Sequence, residues 1–319
     1  MVNILKNKFK TLANKCIIEF SKPFLGYKIG QKFPFLKNLY KLLYELSKPK
    51  MVKFFGQWLI LHPDDQIFSN EIISKGIYEE LEISIFSSLL QEGMTVFDIG
   101  ANVGCYTLMA ASKIGSYGRV YAFEPDKDNF NILQKNVALN KHSNVELLKY
   151  AVSDDNCDLA LSLSPDNKGD HRTYKNDAFN KQRIYYTVKA IQLDSYFEGL
   201  NVYPNIIKMD IQGFEYFALR GMKNLIIENP NVVLLTEFWP YGLKASGLES
   251  PILFYNQLEK LGFEIFQIDE LNRKIEKIID TNLLLASLPG ESFTNLLCLK
   301  GEAIKIKNQE HQDLISFNI

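Results

Sequence analysis

Two acidic residues, each at the end of a predicted strand, give the strongest chemical signal in the chain. The first is in the apolar run TVFDIG, where Asp98, Gly100, Asn102 and Gly104 form DIGANVG ahead of a helical stretch. The two glycines let the backbone approach a ligand at the carboxyl end of a strand, where open α/β sheets bind ligands. The second is Glu124 in VYAFEP, where a carboxylate can accept two hydrogen bonds from adjacent ribose hydroxyls.

The acid in the first turn indicates the charge of the ligand. A dinucleotide fold places GxGxxG at the start of a helix to receive a pyrophosphate anion, whereas this turn is GxxxG and follows Asp98. A carboxylate repels pyrophosphate and attracts a cation, and S-adenosylmethionine carries a sulfonium and an ammonium group. We therefore expect S-adenosylmethionine as the cofactor, bound by the five residues named above. Asp154, after the third strand, is expected either to accept from the adenine amine or to cap a turn.

Three motifs, DIGANVGCYT, FEP and KMDIQGFEYFALRGM, resemble the FkbM family of S-adenosylmethionine-dependent methyltransferases. The likeness runs from about Gly76 to the end of FEIFQID, and the segment 169–172 (GDHR) resembles a motif of one branch of the family. The resemblance implies a Rossmann-like enzyme that methylates hydroxyls of natural products and glycans. The family usually has Asp-x-Glu-Gly-x-Glu after the fourth strand, and here Gln212 replaces the first glutamate. An amide at this position can still form hydrogen bonds but carries no charge.

Three further side chains are candidates for the proton transfer that methylation of a hydroxyl requires. An alcohol is almost fully protonated at neutral pH, so a general base is expected. Asp210 ends the fourth strand, His171 lies in a polar insertion, and Glu237 closes the fifth strand. Asp210 is expected to take the proton, to orient the acceptor or to help hold a metal, whereas an imidazole suits base chemistry near neutral pH. We predict no metal site, because no further dense carboxylate cluster accompanies Asp210 and Glu237.

A sheet with helices on both faces must hold these residues at one edge. From residue 94, short apolar runs alternate with helical segments, which indicates βαβ units and a parallel sheet. We expect about seven strands, of which the last two, FEIFQID and LLCLKG, pair antiparallel. The expected fold class is therefore α/β, a Rossmann-like class I methyltransferase with a helical N-terminal extension. Residues 153–183 form a polar insertion, expected to be a functional loop or lid that contains a hairpin.

The N-terminal region differs in charge from the rest of the chain. Residues 1–50 contain eleven lysines and two glutamates, whereas the whole chain has a net charge of −1. Apolar spacing over 3–20 and 36–46 predicts amphipathic basic helices, which either contact an anionic membrane or, as we favour, pack on the main domain. We divide the chain into this extension (1–50), a hairpin and helix (51–93), the methyltransferase domain (94–305) and a C-terminal tail (306–319).

Composition limits the partners and the compartment. The four cysteines show no CxxC pair, which disfavours zinc and disulfides and suits a reducing compartment. The balanced charge gives no sign of a nucleic-acid partner, and no apolar run is long enough to span a membrane. We expect a cytoplasmic protein, or one held peripherally at the inner membrane surface by residues 1–50, that acts on a small-molecule or glycan acceptor. The sequence does not specify an oligomeric state.

Two other functions stay open from the sequence. The first is a NAD-type oxidoreductase, which Asp98 and the absence of GxGxxG disfavour. The second is a catalytically inactive protein that binds S-adenosylmethionine or acts as a membrane-associated adaptor. Gln212 and the basic N-terminus motivate this second alternative.

Overall fold

The computed structural model describes residues 48–63, 65–77, 79–165, 167–174, 184–301, 304–305 and 316–317. Its strands are β1 Met51–Phe54, β2 Gln57–Ile60, β3 Thr95–Ile99, β4 Arg119–Phe123, β5 Val145–Leu148, β6 Ala151–Val152, β7 Cys157–Leu163, β8 Ile184–Ile191, β9 Ile206–Met209, β10 Val232–Phe238, β11 Glu264–Asp269, β12 Lys274–Lys277, β13 Thr294–Lys300, β14 Ile304–Lys305 and β15 Ser316–Phe317. Its helices are α1 Phe68–Lys75, α2 Glu80–Leu89, α3 Cys105–Lys113, α4 Lys127–Leu139, α5 Leu193–Tyr196, α6 Glu215–Gly221, α7 Lys223–Glu228, α8 Pro240–Ala245, α9 Ile252–Lys260 and α10 Thr281–Ala286. The predicted basic helices over 3–20 and 36–46, residues 175–183 of the insertion and most of the tail lie outside the described residues.

A sheet that contains eight strands within the described ranges forms the centre of the fold, in the order β12-β11-β13-β10-β9-β3-β4-β5. The strands from β10 to β5 are parallel, whereas β13 and β12 are antiparallel to their neighbours. The predicted α/β class is therefore confirmed, and β11 and β13 pair antiparallel as expected. The sheet has one strand more than predicted. The edge strand β12 has the sequence KIEK, whose one apolar residue, Ile275, gives no apolar run to detect.

Helices cover both faces of this sheet. Every residue of β9 and β10 is buried, as expected for parallel strands that pack against helices on each side. Neighbouring residues of β3 point to opposite faces, so Val96 belongs to a core cluster with residues of α2, α3 and α4, whereas Phe97 belongs to one with residues of α6, α7 and α9. The register sets Ile99 beside both Phe123 and Met209. The residues that follow β3, β4 and β9 consequently meet at one edge of the sheet.

The expected hairpin forms, with its first strand in the polar insertion and its second strand directly after it. β7 and β8 pair antiparallel, and β6 joins β8 in a separate three-stranded sheet. The run NVELLKYAV, predicted as one strand, is divided: β5 ends at Leu148 in the main sheet, and β6 begins at Ala151 in the small sheet. This division moves Asp154 away from the end of a main-sheet strand.

Residues 51–93 form the predicted hairpin and helix, with α1 as an additional helix between them. The side chain of Asn136 in α4 hydrogen-bonds both the N–H and the C=O of Ile60, which fixes the hairpin to the core. The four-part division of the chain stays a prediction. Of the helices in the described ranges, none has the length and apolar character needed to cross a bilayer.

Candidate active site

A cavity opens where β3, β4 and β9 end, and we call it the edge cavity. Its lining brings together most of the residues singled out from the sequence: Asp98, Gly100, Asn102, Glu124, His171, Asp210 and Glu237. Residues 167–169 and 173 of the insertion also line it. Gly104 and Asp154 do not belong to the lining.

The turn after β3 depends on its two glycines. Gly100 has φ 86°, and a side chain there would collide with the main-chain carbonyl of Asp210, because the ends of β3 and β9 are in contact. Gly104 has φ 99° and precedes the first residue of α3, where a Cβ would lie 2.6 Å from Cδ1 of Leu133. Both positions favour glycine, which adopts positive φ without steric cost. Gly104 therefore shapes the turn although it lies outside the lining.

The two acids predicted to bind the cofactor are buried and hydrogen-bonded. Asp98 is 2% exposed and accepts from Oγ1 of Thr107, and burial raises its pKa to about 6. Glu124 accepts from the N–H groups of Asn102 and Asp126, each at 2.8 Å, and burial raises its pKa to about 8. Since burial penalises the charged forms, a cation or a hydrogen-bond donor in the cavity would stabilise them.

The same cavity has groups that fit an adenosine. Two buried carbonyl oxygens, Asn102 Oδ1 and Asn129 Oδ1, have no hydrogen-bond partner among the described residues. Buried polar atoms are normally paired, so a ligand with N–H and O–H groups suits this place. Apolar side chains near Glu124 offer a surface for a flat ring: Phe123, Tyr150, Val152 and Leu161.

Asp210, Glu215 and Glu237 form a carboxyl cluster in which one oxygen from each lies within 4.8 Å of the others. Burial raises the pKa of Glu215 to about 7, and burial together with Asp210 and Glu215 raises that of Glu237 well above its ordinary value. Such oxygens could ligate a divalent cation. The amide Nε2 of Gln212, however, already donates to Asp210 Oδ1 at 2.8 Å and lies 3.4 Å from Glu237 Oε2.

Two further charged residues line the cavity, Lys208 and Glu79. Lys208 is 2% exposed, and its Nζ pairs with Oε1 of the fully buried Glu82 at 2.7 Å. Burial alone would lower the pKa of Lys208, but the charges of Glu82, Asp210 and Glu79 raise it. Glu79 also lines the cavity, and burial first, then Glu82, raises its pKa well above the ordinary value.

Three of the seven non-glycine residues with positive φ in the described ranges lie at this cavity. Glu79, Asn102 and Gln212 have φ values of 46°, 51° and 56°, in the left-handed region that residues other than glycine rarely adopt. All three line the edge cavity. Such strain is common at functional sites. Sequence reasoning missed Glu79 as a site residue, although the family resemblance begins next to it, near Gly76.

Two predicted residues have definite partners. Asp154 pairs with Arg220 at 3.2 Å, outside the cavity. His171 lines the cavity, and its Nδ1 accepts from the backbone N–H of Ser164 at 3.1 Å. A neutral imidazole has one donor and one acceptor nitrogen, so Nε2 of His171 carries the proton in this arrangement.

A mostly parallel sheet between two helical layers, with a glycine turn and acids at its carboxyl edge, defines a Rossmann-like class I methyltransferase fold. The chain belongs to the FkbM methyltransferase domain family, whose model matches residues 98–275, just over half of the chain. The resemblance seen in the sequence is confirmed, and S-adenosylmethionine is the expected cofactor.

Named relatives share parts of the chain. The hexuronic acid methyltransferase AglP of Haloferax volcanii is 29% identical over 147 residues, 46% of this chain and 56% of the relative. Methyltransferase 1 of Beauveria bassiana is 26% identical over 144 residues, 40% of this chain and 57% of the relative. The crystal structure of methyltransferase FkbM from Methylobacillus flagellatus KT matches with a TM-score of 0.41 and 17% identity, over 72% of this chain and 52% of that one. The chain spans about half the length of the curated relatives it matches.

Proposed function

We propose that this protein transfers the methyl group of S-adenosylmethionine to a hydroxyl oxygen of a sugar, glycan or natural-product acceptor. The observation that carries the proposal is the edge cavity, which the carboxyl groups of Asp98, Glu124 and Asp210 line together. Asp98 and Glu124 suit the cofactor, and Asp210 follows β9, the strand paired with β3. One cavity thus offers contacts for a methyl donor and a group that accepts a proton.

The charge of the cavity supports a cationic cofactor. Burial raises the pKa values of Asp98, Glu124 and Glu237, while the buried Lys208 is already paired with Glu82. A cation in the cavity would favour the ionised carboxylates and lower the cost of burying them. When bound, S-adenosylmethionine supplies a methyl group made electrophilic by its positively charged sulfur.

We assign proton acceptance to Asp210. The Gln212 amide binds its Oδ1 and so orients the carboxylate within the cavity. His171 Nδ1 already accepts from the backbone N–H of Ser164, so we do not assign proton acceptance to this imidazole. Glu237 holds its own proton more tightly than an ordinary glutamate, so we assign it to orienting the acceptor. Correct placement of the hydroxyl supplies much of the remaining rate.

The acceptor class rests on similarity. A relative is described as a hexuronic acid methyltransferase, which makes a sugar hydroxyl the first acceptor to test. The shared segment is distant in sequence and covers about half of that relative. We therefore propose for this protein the same class of acceptor, a sugar or glycan hydroxyl, and do not propose the particular sugar.

The experiment uses the full chain with radiolabelled S-adenosylmethionine and a panel of simple glycosides, nucleotide sugars and polyols. We expect labelled product whose mass increases by one methyl group, with the methyl on oxygen by NMR. Calorimetry with S-adenosylhomocysteine and NADH separates the alternatives. Preference for NADH would indicate an oxidoreductase, and tight S-adenosylhomocysteine binding without transfer to any acceptor would indicate an inactive adaptor.

A further inference from the structure

A second depression adjoins the edge cavity on the same edge of the sheet. It is lined by parts of three segments, 71–80, 267–272 and 287–295, and we call it the acidic cleft. Strands β11 and β10 both run antiparallel to β13, so the end of β11 at Asp269 lies on the carboxyl edge where β10 ends. Glu79 and Phe293 line both depressions. The two depressions therefore adjoin at these two side chains.

Glu79 connects the acidic cleft to the proposed base. Its carboxyl group interacts with the charges of Lys208 and Asp210 on the cavity side. On the other side, it is hydrogen-bonded by the side chain of Asn295, which lines the acidic cleft. Glu79 therefore belongs to the lining of both depressions and lies within electrostatic range of Asp210, to which we assign proton acceptance.

The lining of the acidic cleft suits a sugar. A sugar ring has an apolar C–H face and a rim of hydroxyl groups, which need an apolar platform and several hydrogen-bonding partners. The Phe293 ring, in a residue that is 49% exposed, offers the platform. Amide and hydroxyl side chains line the cleft and both donate and accept hydrogen bonds: Gln267, Asn272, Ser287, Ser292, Thr294 and Asn295.

Acidic residues outnumber basic residues in the lining of the acidic cleft. Its acidic residues are Glu71, Glu79, Glu80, Asp269 and Glu270, and Lys75 is the basic residue found in its described lining. Lys75 pairs with Glu71, so its charge is already compensated. Arg273, which pairs with Glu80 at 3.0 Å, is engaged as well. Asp269 accepts from Asn272, and Glu270 accepts from the N–H groups of Leu81 and Glu82, so both are held by hydrogen bonds. The acidic residues of the described lining still outnumber its one lysine. An acceptor with a negative charge would therefore meet like charge, which opposes binding.

We propose that the acidic cleft binds the methyl acceptor and selects a sugar without negative charge, neutral or amino-substituted, over a hexuronate. The inference rests on the proposed function, since it assumes that a sugar hydroxyl is methylated. It differs from the substrate that the name of the Haloferax volcanii relative gives for that protein.

The test compares three glycosides that differ only in charge: a β-glucoside, the corresponding β-glucosaminide and the β-glucuronide. The full chain is assayed with each under saturating S-adenosylmethionine. We expect kcat/KM for the glucoside and the glucosaminide to exceed that for the glucuronide roughly tenfold or more. Equal or preferred methylation of the glucuronide would overturn this inference and leave the proposed function standing. Methylation of no sugar, with S-adenosylhomocysteine still bound, would overturn both.

A variant locates the selection in the acidic cleft. Glu71→Gln removes the partner of Lys75 and leaves an uncompensated cation in the lining. The ratio of kcat/KM for the glucuronide to that for the glucoside should rise about threefold or more. The matched control is Glu276→Gln, the same change at an exposed residue of β12 outside the cleft, which should leave the ratio unchanged. An unchanged ratio in Glu71→Gln would show that the acceptor does not bind in the cleft.

Discussion

The edge cavity and the acidic cleft share two side chains, yet they are built in opposite ways. In the edge cavity Asp98, Glu124 and Lys208 are at most 5% exposed. In the acidic cleft the side chains of Lys75 and Glu80 are 64% and 53% exposed. Charges interact more strongly away from water, so the cavity can hold one ligand in a fixed position. The cleft can change its selectivity by single substitutions at little cost to the fold.

The largest difference in stability that we predict is between variants of two Lys–Glu pairs, one at each depression. Lys208→Met leaves Glu82 buried without its partner, so the free energy of unfolding should fall by about 3–5 kcal/mol. Lys75→Met removes an exposed i,i+4 pair with Glu71 and should cost about 0–0.5 kcal/mol. Urea unfolding followed by circular dichroism measures both. Similar losses in the two variants would contradict the contrast between the two regions.

The second prediction separates catalysis from binding within the edge cavity. Asp210→Asn keeps the shape of the side chain but removes the proposed proton acceptor, so kcat should fall by roughly 10²- to 10³-fold. S-adenosylhomocysteine affinity should change by less than about threefold, since the predicted cofactor acids lie elsewhere in the lining.

The control for this prediction is Asp158→Asn, the same substitution in an exposed pair with Lys189 on the small sheet. It should leave kcat unchanged. If Asp210→Asn kept most of the wild-type kcat, proton acceptance would belong to another group, and His171 and Glu237 would be tested next.

The third prediction uses the raised pKa of Glu124. With a pKa of about 8 in the folded protein, this group keeps a proton that it loses at lower pH in the unfolded chain. Between these two pKa values the folded state binds more protons than the unfolded state. The free energy of unfolding of the ligand-free protein should therefore fall as the pH rises from about 5 to about 8. Asp98, with a pKa of about 6, adds a fall of the same sign at the acid end.

Ligand binding should show the opposite trend, because a ribose needs Glu124 as an acceptor. The affinity for S-adenosylhomocysteine should rise toward about pH 8, by roughly tenfold per pH unit at most. Calorimetry across this range measures the rise, and melting temperatures measure the stability. Glu124→Gln should abolish the rise in affinity and reduce the fall in stability, to which Asp98 and Glu215, with pKa values of about 6 and about 7, still contribute. Glu146→Gln, at a partly exposed residue paired with Arg119, should change neither. Unaltered slopes in Glu124→Gln would assign the titration to other groups.

From the sequence, the candidate site residues could be placed at one edge of the sheet because they lie at the ends of strands, and their roles stay predictions. Asp98, Glu124 and Asp210 each end or directly follow a buried strand, and parallel strands bring their ends to one edge. Glu79 was missed as a site residue because it reaches the cavity only after α2 packs beneath β9, where Glu82 pairs with Lys208. Such a contact joins residues far apart in the chain and leaves no local pattern.

The acidic cleft could not be predicted from the sequence either, because it also joins residues that are far apart in the chain. Its lining comes from three segments, and Phe293 lies in the connection between α10 and β13. The placement of Asp154 illustrates a second reason. In the run NVELLKYAV, apolar residues stand on both sides of Lys149 and Tyr150. The run contains no glycine or proline to mark the change of sheet between Leu148 and Ala151. Apolar patterns predict that a strand forms and do not specify which sheet it joins.

The smallest predicted effect concerns metal at the carboxyl cluster of the edge cavity. The Gln212 amide donates a hydrogen bond to Asp210 and lies near Glu237. Its partly positive N–H groups therefore face the carboxylates that a cation would otherwise neutralise. EDTA should therefore change kcat by less than about twofold. Gln212→Glu would place another carboxyl group among Asp210, Glu215 and Glu237, and activity of that variant should come to depend on added Mg²⁺. Loss of wild-type activity in EDTA, with recovery on adding Mg²⁺, would instead mean that these three carboxylates hold a metal beside the Gln212 amide.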